Sequence, residues 1–195
     1  MTVTADTVQG SNRFWTVSNM LSLSRIVLAI PFMLVMLLDV SGARWWGLAI
    51  LIVGIATDKL DGVLARKRNE ISEWGKILDP LGDKVGLGAV ALVLVLQNIL
   101  PLWFLVLLVG RDLLIFVGGI YLRSISGSVL PSNVTGKWTV GVVAAYLFLK
   151  LVGIEGLLTD IGLTASVMMI LISFASYAFR FFEVLRLREG AHGNS

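Results

Sequence analysis

Residues 57–86 read TDKLDGVLARKRNEISEWGKILDPLGDKVG. Four aspartates stand in this stretch at set spacings, Asp58 three residues before Asp61 and Asp79 four before Asp83. In a helix, residues three or four positions apart share a face, so each pair presents both carboxylates to one side. The stretch stands out because the rest of the chain is so apolar. Of 195 residues, 56% are hydrophobic and 15% charged.

With a mean hydropathy of +0.87, the chain has too few polar residues to cover a soluble domain of its length. It reads as an all-α integral membrane protein. A spanning helix needs about 20 mostly apolar residues. Six such segments are legible, at about 20–38, 43–65, 75–98, 101–122, 138–154 and 161–184. The expected organisation is a polar N-terminal segment over 1–19, a six-helix membrane domain over 20–186 and a disordered tail over 187–195. MTVTADTVQGSNRF lacks the basic start and apolar run of a signal peptide. Residues around Asn12 to Trp15 suit a segment lying along the membrane surface, because Arg, Phe and Trp favour that interface. Trp45, Trp46, Trp74, Trp103 and Trp138 fall near span ends, as interface aromatics do.

Lys and Arg accumulate in cytoplasmic loops. With six spans, one side collects Arg13, Arg66, Lys67, Arg68, Lys76, Arg123, Lys137, Arg186 and Arg188, whereas the other holds Arg44 and Lys150. Both termini and the aspartate stretch are therefore expected at the cytoplasmic face. The net charge of +3 suits anionic headgroups or phosphorylated substrates and calls for no nucleic acid.

There is no Cys, and the single His is His192. Thiolate and imidazole metal sites are thereby excluded from the membrane domain, as are Cys nucleophiles. If the short connection after the second span makes spans 2 and 3 antiparallel neighbours, the four carboxylates converge just inside the membrane boundary. Like charges in a partly desolvated site oppose one another's ionisation, and divalent cations relieve this. An all-carboxylate oxygen set suits Mg²⁺ or Mn²⁺. Two such ions formally balance four carboxylates and form the usual clamp for displacement at phosphorus. Gly62 and Gly75 leave room for a ligand, and Arg66 lies one turn beyond Asp61, within reach of a phosphate. Each residue also has a structural reading. Asp79-Pro80 fits a helix N-cap with Pro at the first position, and the Arg66–Arg68 run fits a topology signal. A helix that begins near Ser72 instead places Pro80 inside it. Four aspartates, two glycines and an arginine within one 26-residue window are poorly explained as separate caps.

At these residues the chain resembles the CDP-alcohol phosphatidyltransferase family, whose signature is D-x₂-D-G-x₂-A-R-x₈-G-x₃-D-x₃-D. Asp58, Asp61, Gly62, Ala65, Arg66, Gly75, Asp79 and Asp83 fill every position. The resemblance implies that CDP-diacylglycerol binds at the metals, that an alcohol hydroxyl attacks the β-phosphorus and that CMP leaves. It implies metal ligation by Asp58, Asp61 and Asp79, a general base at Asp83 that can also be a ligand, and a nucleotide pocket lined by Gly62, Ala65, Arg66 and Gly75. It further implies a multi-pass protein of the bacterial cytoplasmic membrane and allows a homodimer. The small-residue pair Gly82 and Gly86 reads first as close helix packing.

Within the family the first span, with Asn19, Ser22, Arg25 and Pro31, and the run LDPLGDK most resemble phosphatidylglycerophosphate synthases. Gly82 replaces their usual Ala, Asp112 stands where Glu is commoner, and Trp138 stands where they carry Lys. The expected acceptor is glycerol 3-phosphate, gripped by Arg111 and Lys137, with Lys84 as a third candidate. An Arg at membrane depth faces a cavity or a partner, so Arg111 reads either as a substrate ligand or as the ion-pair partner of Asp112. Phosphatidylglycerol, as in cardiolipin synthesis, and inositol phosphate are the alternative acceptors. A prenyltransferase would carry its two acidic motifs far apart, and a carboxylate-lined transporter would spread them across mid-membrane. Here both pairs cluster at one face.

Overall fold

The protein is described by a computed structural model over residues 17–38, 41–68, 75–126 and 134–192. Within those helices the side chains of 17–19, 21, 22, 25, 58–68, 75–81, 83, 123–126 and 187–192 lie outside the description. Six helices follow in order: α1 Val17–Leu37, α2 Ala43–Arg68, α3 Gly75–Leu96, α4 Leu102–Ser126, α5 Val134–Val152 and α6 Leu157–His192. All six expected segments are helical. The segment expected at the membrane surface, Asn12 to Trp15, lies outside the described residues.

Three stretches are long and apolar enough to cross a bilayer: Leu102–Leu122, Val134–Val152 and Leu157–Arg186. Among the described residues, Ile26–Leu37, Ala43–Thr57 and Lys84–Leu96 are shorter apolar stretches. The 15 apolar residues of α2 rise about 22 Å at 1.5 Å each, short of a hydrocarbon core of about 30 Å. Large apolar side chains such as Trp45, Val106, Leu157 and Phe179 are exposed, while Arg111, Thr139, Ser166 and Ser173 are buried. That pattern is what a lipid solvent selects, and the chain is a multi-pass integral membrane protein.

One boundary left open in the sequence falls at the expected residue 75, and two others differ from the sequence reading. Helix α3 begins at Gly75, so Asp79 is not its N-cap and Pro80 lies in the second turn. Without an N–H, Pro80 cannot bond the carbonyl four residues back, at Lys76. Helix α5 begins at Val134 rather than 138, which places Lys137 inside its first turn. The tail expected to be disordered from 187 is helical as far as His192. Its EVLRLRE run consists of helix-compatible residues, and the lone Gly190 costs only about 1 kcal/mol in a helix.

Two compact units divide the chain, Met1–Val93 and Leu94–Ser195. In the first, α1 packs against α2. Phe32, Met36 and Leu48 are buried along this seam. A Cβ at Gly47 would lie 2.7 Å from the Met36 sulfur and 3.3 Å from the Phe32 ring, so the helices approach through the missing side chain.

In the second unit α5 and α6 form a hairpin closed by Gly153 and Gly156, whose φ angles of 85° and 92° suit glycine. The Gly153 N–H donates to the Lys150 carbonyl at 3.1 Å and the Ile154 N–H to the Leu149 carbonyl at 3.0 Å, ending α5. The Thr159 N–H and hydroxyl both donate to the Gly156 carbonyl, at 3.0 and 2.7 Å, starting α6. Along the seam Gly162 lies under the Tyr146 ring, and the Thr139 hydroxyl reaches the Met169 carbonyl. Helix α4 meets α6 at Arg111–Ser173, Gly118–Tyr177 and Tyr121–Phe181. Residue numbers rise together in these pairs and oppose one another in the α5–α6 pairs. Helices α4 and α6 therefore run parallel, with α5 antiparallel, as three successive membrane passes require.

Candidate active site

The first unit carries the carboxylate motif. Asp58, Asp61, Gly62, Ala65 and Arg66 occupy the last turns of α2; Gly75, Asp79 and Asp83 occupy the first turns of α3. At 100° per residue, Asp58, Asp61, Gly62 and Ala65 fall within an arc of about 100° on α2, with Arg66 at its edge. Gly75, Asp79 and Asp83 likewise fall within about 80° on α3, with Gly86 inside that arc and Gly82 about 20° beyond it. Gly82 is buried, and a Cβ at Gly86 would meet nothing within 4 Å. Both sets thus sit on single helix faces, as the spacing implies. The aspartate side chains lie outside the described residues, as does the pairing of the two faces. Among the described residues no other group of three or more His, Asp or Glu is placed to hold a metal. Lys84 is exposed and turned about 100° from Asp83 around α3.

The second unit carries a buried cation. Arg111 lies halfway along the apolar stretch of α4 and is 8% exposed. One terminal nitrogen of its guanidinium donates to the Asp112 carboxylate and the other to the Ser173 hydroxyl on α6. Its Nε is buried and has no hydrogen-bond partner among the described residues. A Cβ at Gly136, in the first turn of α5, would lie 3.4 Å from the second terminal nitrogen, so α5 begins against the guanidinium. Lys137 follows directly and is exposed.

The ion pair with Asp112 exists, and one donor atom remains for something else. A charge at this depth is tolerable only with such partners. Sequence reasoning missed Ser173 and Gly136. The available signal was a run of hydroxyl residues seven apart on α6, Thr159, Ser166 and Ser173, all buried. That periodicity marks one helix face but does not say what it meets.

A family model described as CDP-alcohol phosphatidyltransferase matches residues 15–179, which takes in α1 to α5 whole and α6 as far as Phe179. The chain belongs to the CDP-alcohol phosphatidyltransferase family. Among curated members of that family, it is 35% identical over 181 residues to a CDP-diacylglycerol–glycerol-3-phosphate 3-phosphatidyltransferase of Aquifex aeolicus, covering 87% of this chain and 97% of that protein. It is 28% identical over 186 residues to a protein of the same name from Bacillus subtilis, covering 86% and 96%. It is also 39% identical over 126 residues to a putative cardiolipin synthase of Mycobacterium tuberculosis. That match covers 65% of this chain and spans only 59% of the mycobacterial protein's length.

Proposed function

We propose that this phosphatidyltransferase moves the phosphatidyl group of CDP-diacylglycerol to glycerol 3-phosphate, giving phosphatidylglycerophosphate and CMP. The observation that carries the transfer chemistry is the complete motif, Asp58 to Asp83, distributed over single faces of α2 and α3. The choice of acceptor is supported by relatives of that printed activity being matched over nearly their whole length, 97% and 96%. The buried Arg111 beside Lys137 fits a phosphorylated acceptor.

The donor set is hard carboxylate oxygen with no Cys, and the one His is remote in sequence, which fits Mg²⁺ or Mn²⁺. Asp58, Asp61 and Asp79 would hold two ions, with Asp83 at their edge. When bound, such ions neutralise charge on the pyrophosphate and on the departing CMP. The remaining work falls to the chain. Arg66 steadies the nucleotide's phosphate, and Gly62, Ala65 and Gly75 let it approach the helix backbones. Arg111 and Lys137 hold the acceptor phosphate, with Lys84 as a further cation near the first turns of α3. Asp83 takes the proton from the acceptor hydroxyl as its oxygen bonds to the β-phosphorus and the bond to CMP breaks. The catalytic domain is residues 20–186, and its charged loops put the site at the cytoplasmic face of a bacterial inner membrane.

A second reading takes phosphatidylglycerol as the acceptor, as a cardiolipin synthase would, and rests on the 39% identity to the mycobacterial relative. Purified full-length protein in detergent, given CDP-diacylglycerol, Mg²⁺ or Mn²⁺ and one acceptor at a time, separates the two. CMP release with glycerol 3-phosphate supports the first reading, and release with phosphatidylglycerol alone supports the second. No release with these, inositol phosphate or serine would sink the enzyme assignment.

A further inference from the structure

Ser173 is 1% exposed, in the middle of a helix whose outward residues are Met, Leu, Ile and Phe. A serine inside an apolar helix ordinarily turns its hydroxyl onto the carbonyl four residues back. Here that carbonyl, Met169, accepts from Thr139 of α5 at 3.0 Å, and the Ser173 oxygen accepts from Arg111 of α4. One turn of α6 therefore touches both neighbours, and it does so where α4 carries Arg111 and where α5 carries Gly136 and Lys137 one turn earlier. A guanidinium on four rotatable bonds does not hold its own orientation, and in hydrocarbon it turns to whatever acceptor is nearest. Asp112, its chain neighbour, neutralises the charge but fixes only one end of the planar fork. The second end is fixed by Ser173 and would lie 3.4 Å from a Cβ at Gly136, which leaves Nε as the buried donor without a partner among the described residues.

We propose that Ser173 is a positioning residue for acceptor recognition: it clamps the second terminal nitrogen of Arg111, so that the guanidinium keeps its unpartnered Nε for the acceptor's phosphate. This rests on the reading of Arg111 as the acceptor ligand. Ser173 itself need not touch substrate. Its removal lets the fork turn and weakens acceptor binding without altering the nucleotide end of the reaction.

The test is steady-state kinetics of CMP release by the purified full-length protein and its Ser173→Ala, Ser173→Thr and Arg111→Lys variants. Glycerol 3-phosphate and CDP-diacylglycerol are varied separately, and inorganic phosphate serves as a competitor. Ser173→Ala is expected to raise KM for glycerol 3-phosphate and Ki for phosphate about tenfold together, with KM for CDP-diacylglycerol unchanged. Ser173→Thr, which restores the hydroxyl, should return both constants toward wild type. Arg111→Lys should raise the same two constants, because an ammonium cannot span Asp112, Ser173 and a phosphate. If Arg111→Lys shifts them but Ser173→Ala does not, the positioning role is overturned and the acceptor reading stands. If Ser173→Ala raises both substrates' KM values equally, the residue is only structural and the proposal fails. If Arg111→Lys leaves the acceptor constants unchanged, the acceptor reading fails and this inference with it.

Discussion

The Thr139 hydroxyl of α5 donates to the Met169 carbonyl of α6 at 3.0 Å, one turn before Ser173. The same hydroxyl lies 2.8 Å from the Thr135 carbonyl on its own helix. One proton serves two acceptors, so the interhelical bond is shared. Thr139→Val keeps the shape and removes the donor. It should destabilise the protein by about 0.6 kcal/mol, the usual size of such bonds between membrane helices. Reversible unfolding in mixed detergent measures this, and a loss beyond about 2 kcal/mol would mean the hydroxyl does more than join α5 to α6.

Gly162 tests the packing of the same hairpin. An added Cβ would come to 3.0 Å from the Tyr146 ring, which is buried and packs against Phe104 at a tilt of 59° with centroids 5.3 Å apart. The ring has nowhere to swing, so Gly162→Ala should cost about 1–3 kcal/mol as overpacking. Gly141 lies on α5 with nothing within 4 Å of its Cβ position, and Gly141→Ala should be neutral or stabilising. Equal Tm values for the two variants would contradict the close approach of α6 to α5.

On the proposed mechanism Asp61→Asn and Asp83→Asn should each lower CMP release by at least about a hundredfold, the former through the ions and the latter through the base. Chelation with EDTA should abolish release, and Mg²⁺ or Mn²⁺ should restore it. Persistent turnover after thorough chelation would remove the metal role from the carboxylate motif.

Arg111 and Lys137 should differ in their response to salt. Lys137 is exposed, so Lys137→Ala should raise KM for glycerol 3-phosphate only a few-fold, with the effect fading as ionic strength screens it. Arg111 is buried, so the loss in Arg111→Lys should persist at high salt. Parallel salt dependence in the two variants would place both cations in bulk solvent.

Much of the protein was legible in its sequence. Six apolar runs gave six helices, because a backbone in lipid must satisfy its own hydrogen bonds and a helix is the local way to do so. The motif was legible too, since its chemistry is written in spacings of three and four residues, and both of its halves are helical in α2 and α3. Helix ends were less so. The start of α3 at Gly75 rather than at Asp79-Pro80 depends on whether a proline is accepted inside a helix, a choice composition does not make. Along α6 the hydroxyls at 159, 166 and 173 marked one face without naming what it meets.

The sequence by itself thus determined that this is a six-helix membrane protein with a CDP-alcohol phosphatidyltransferase motif on two helix ends. Hydropathy and helical periodicity are local properties, readable within a few turns. The tertiary structure alone decided that Arg111 meets Ser173 across 62 residues of chain, and that Gly136 in the first turn of α5 lies close to the same guanidinium. Those contacts arise from how α4, α5 and α6 pack. A buried charge takes whichever acceptors the packing brings within reach, and no spacing along one helix encodes which they are.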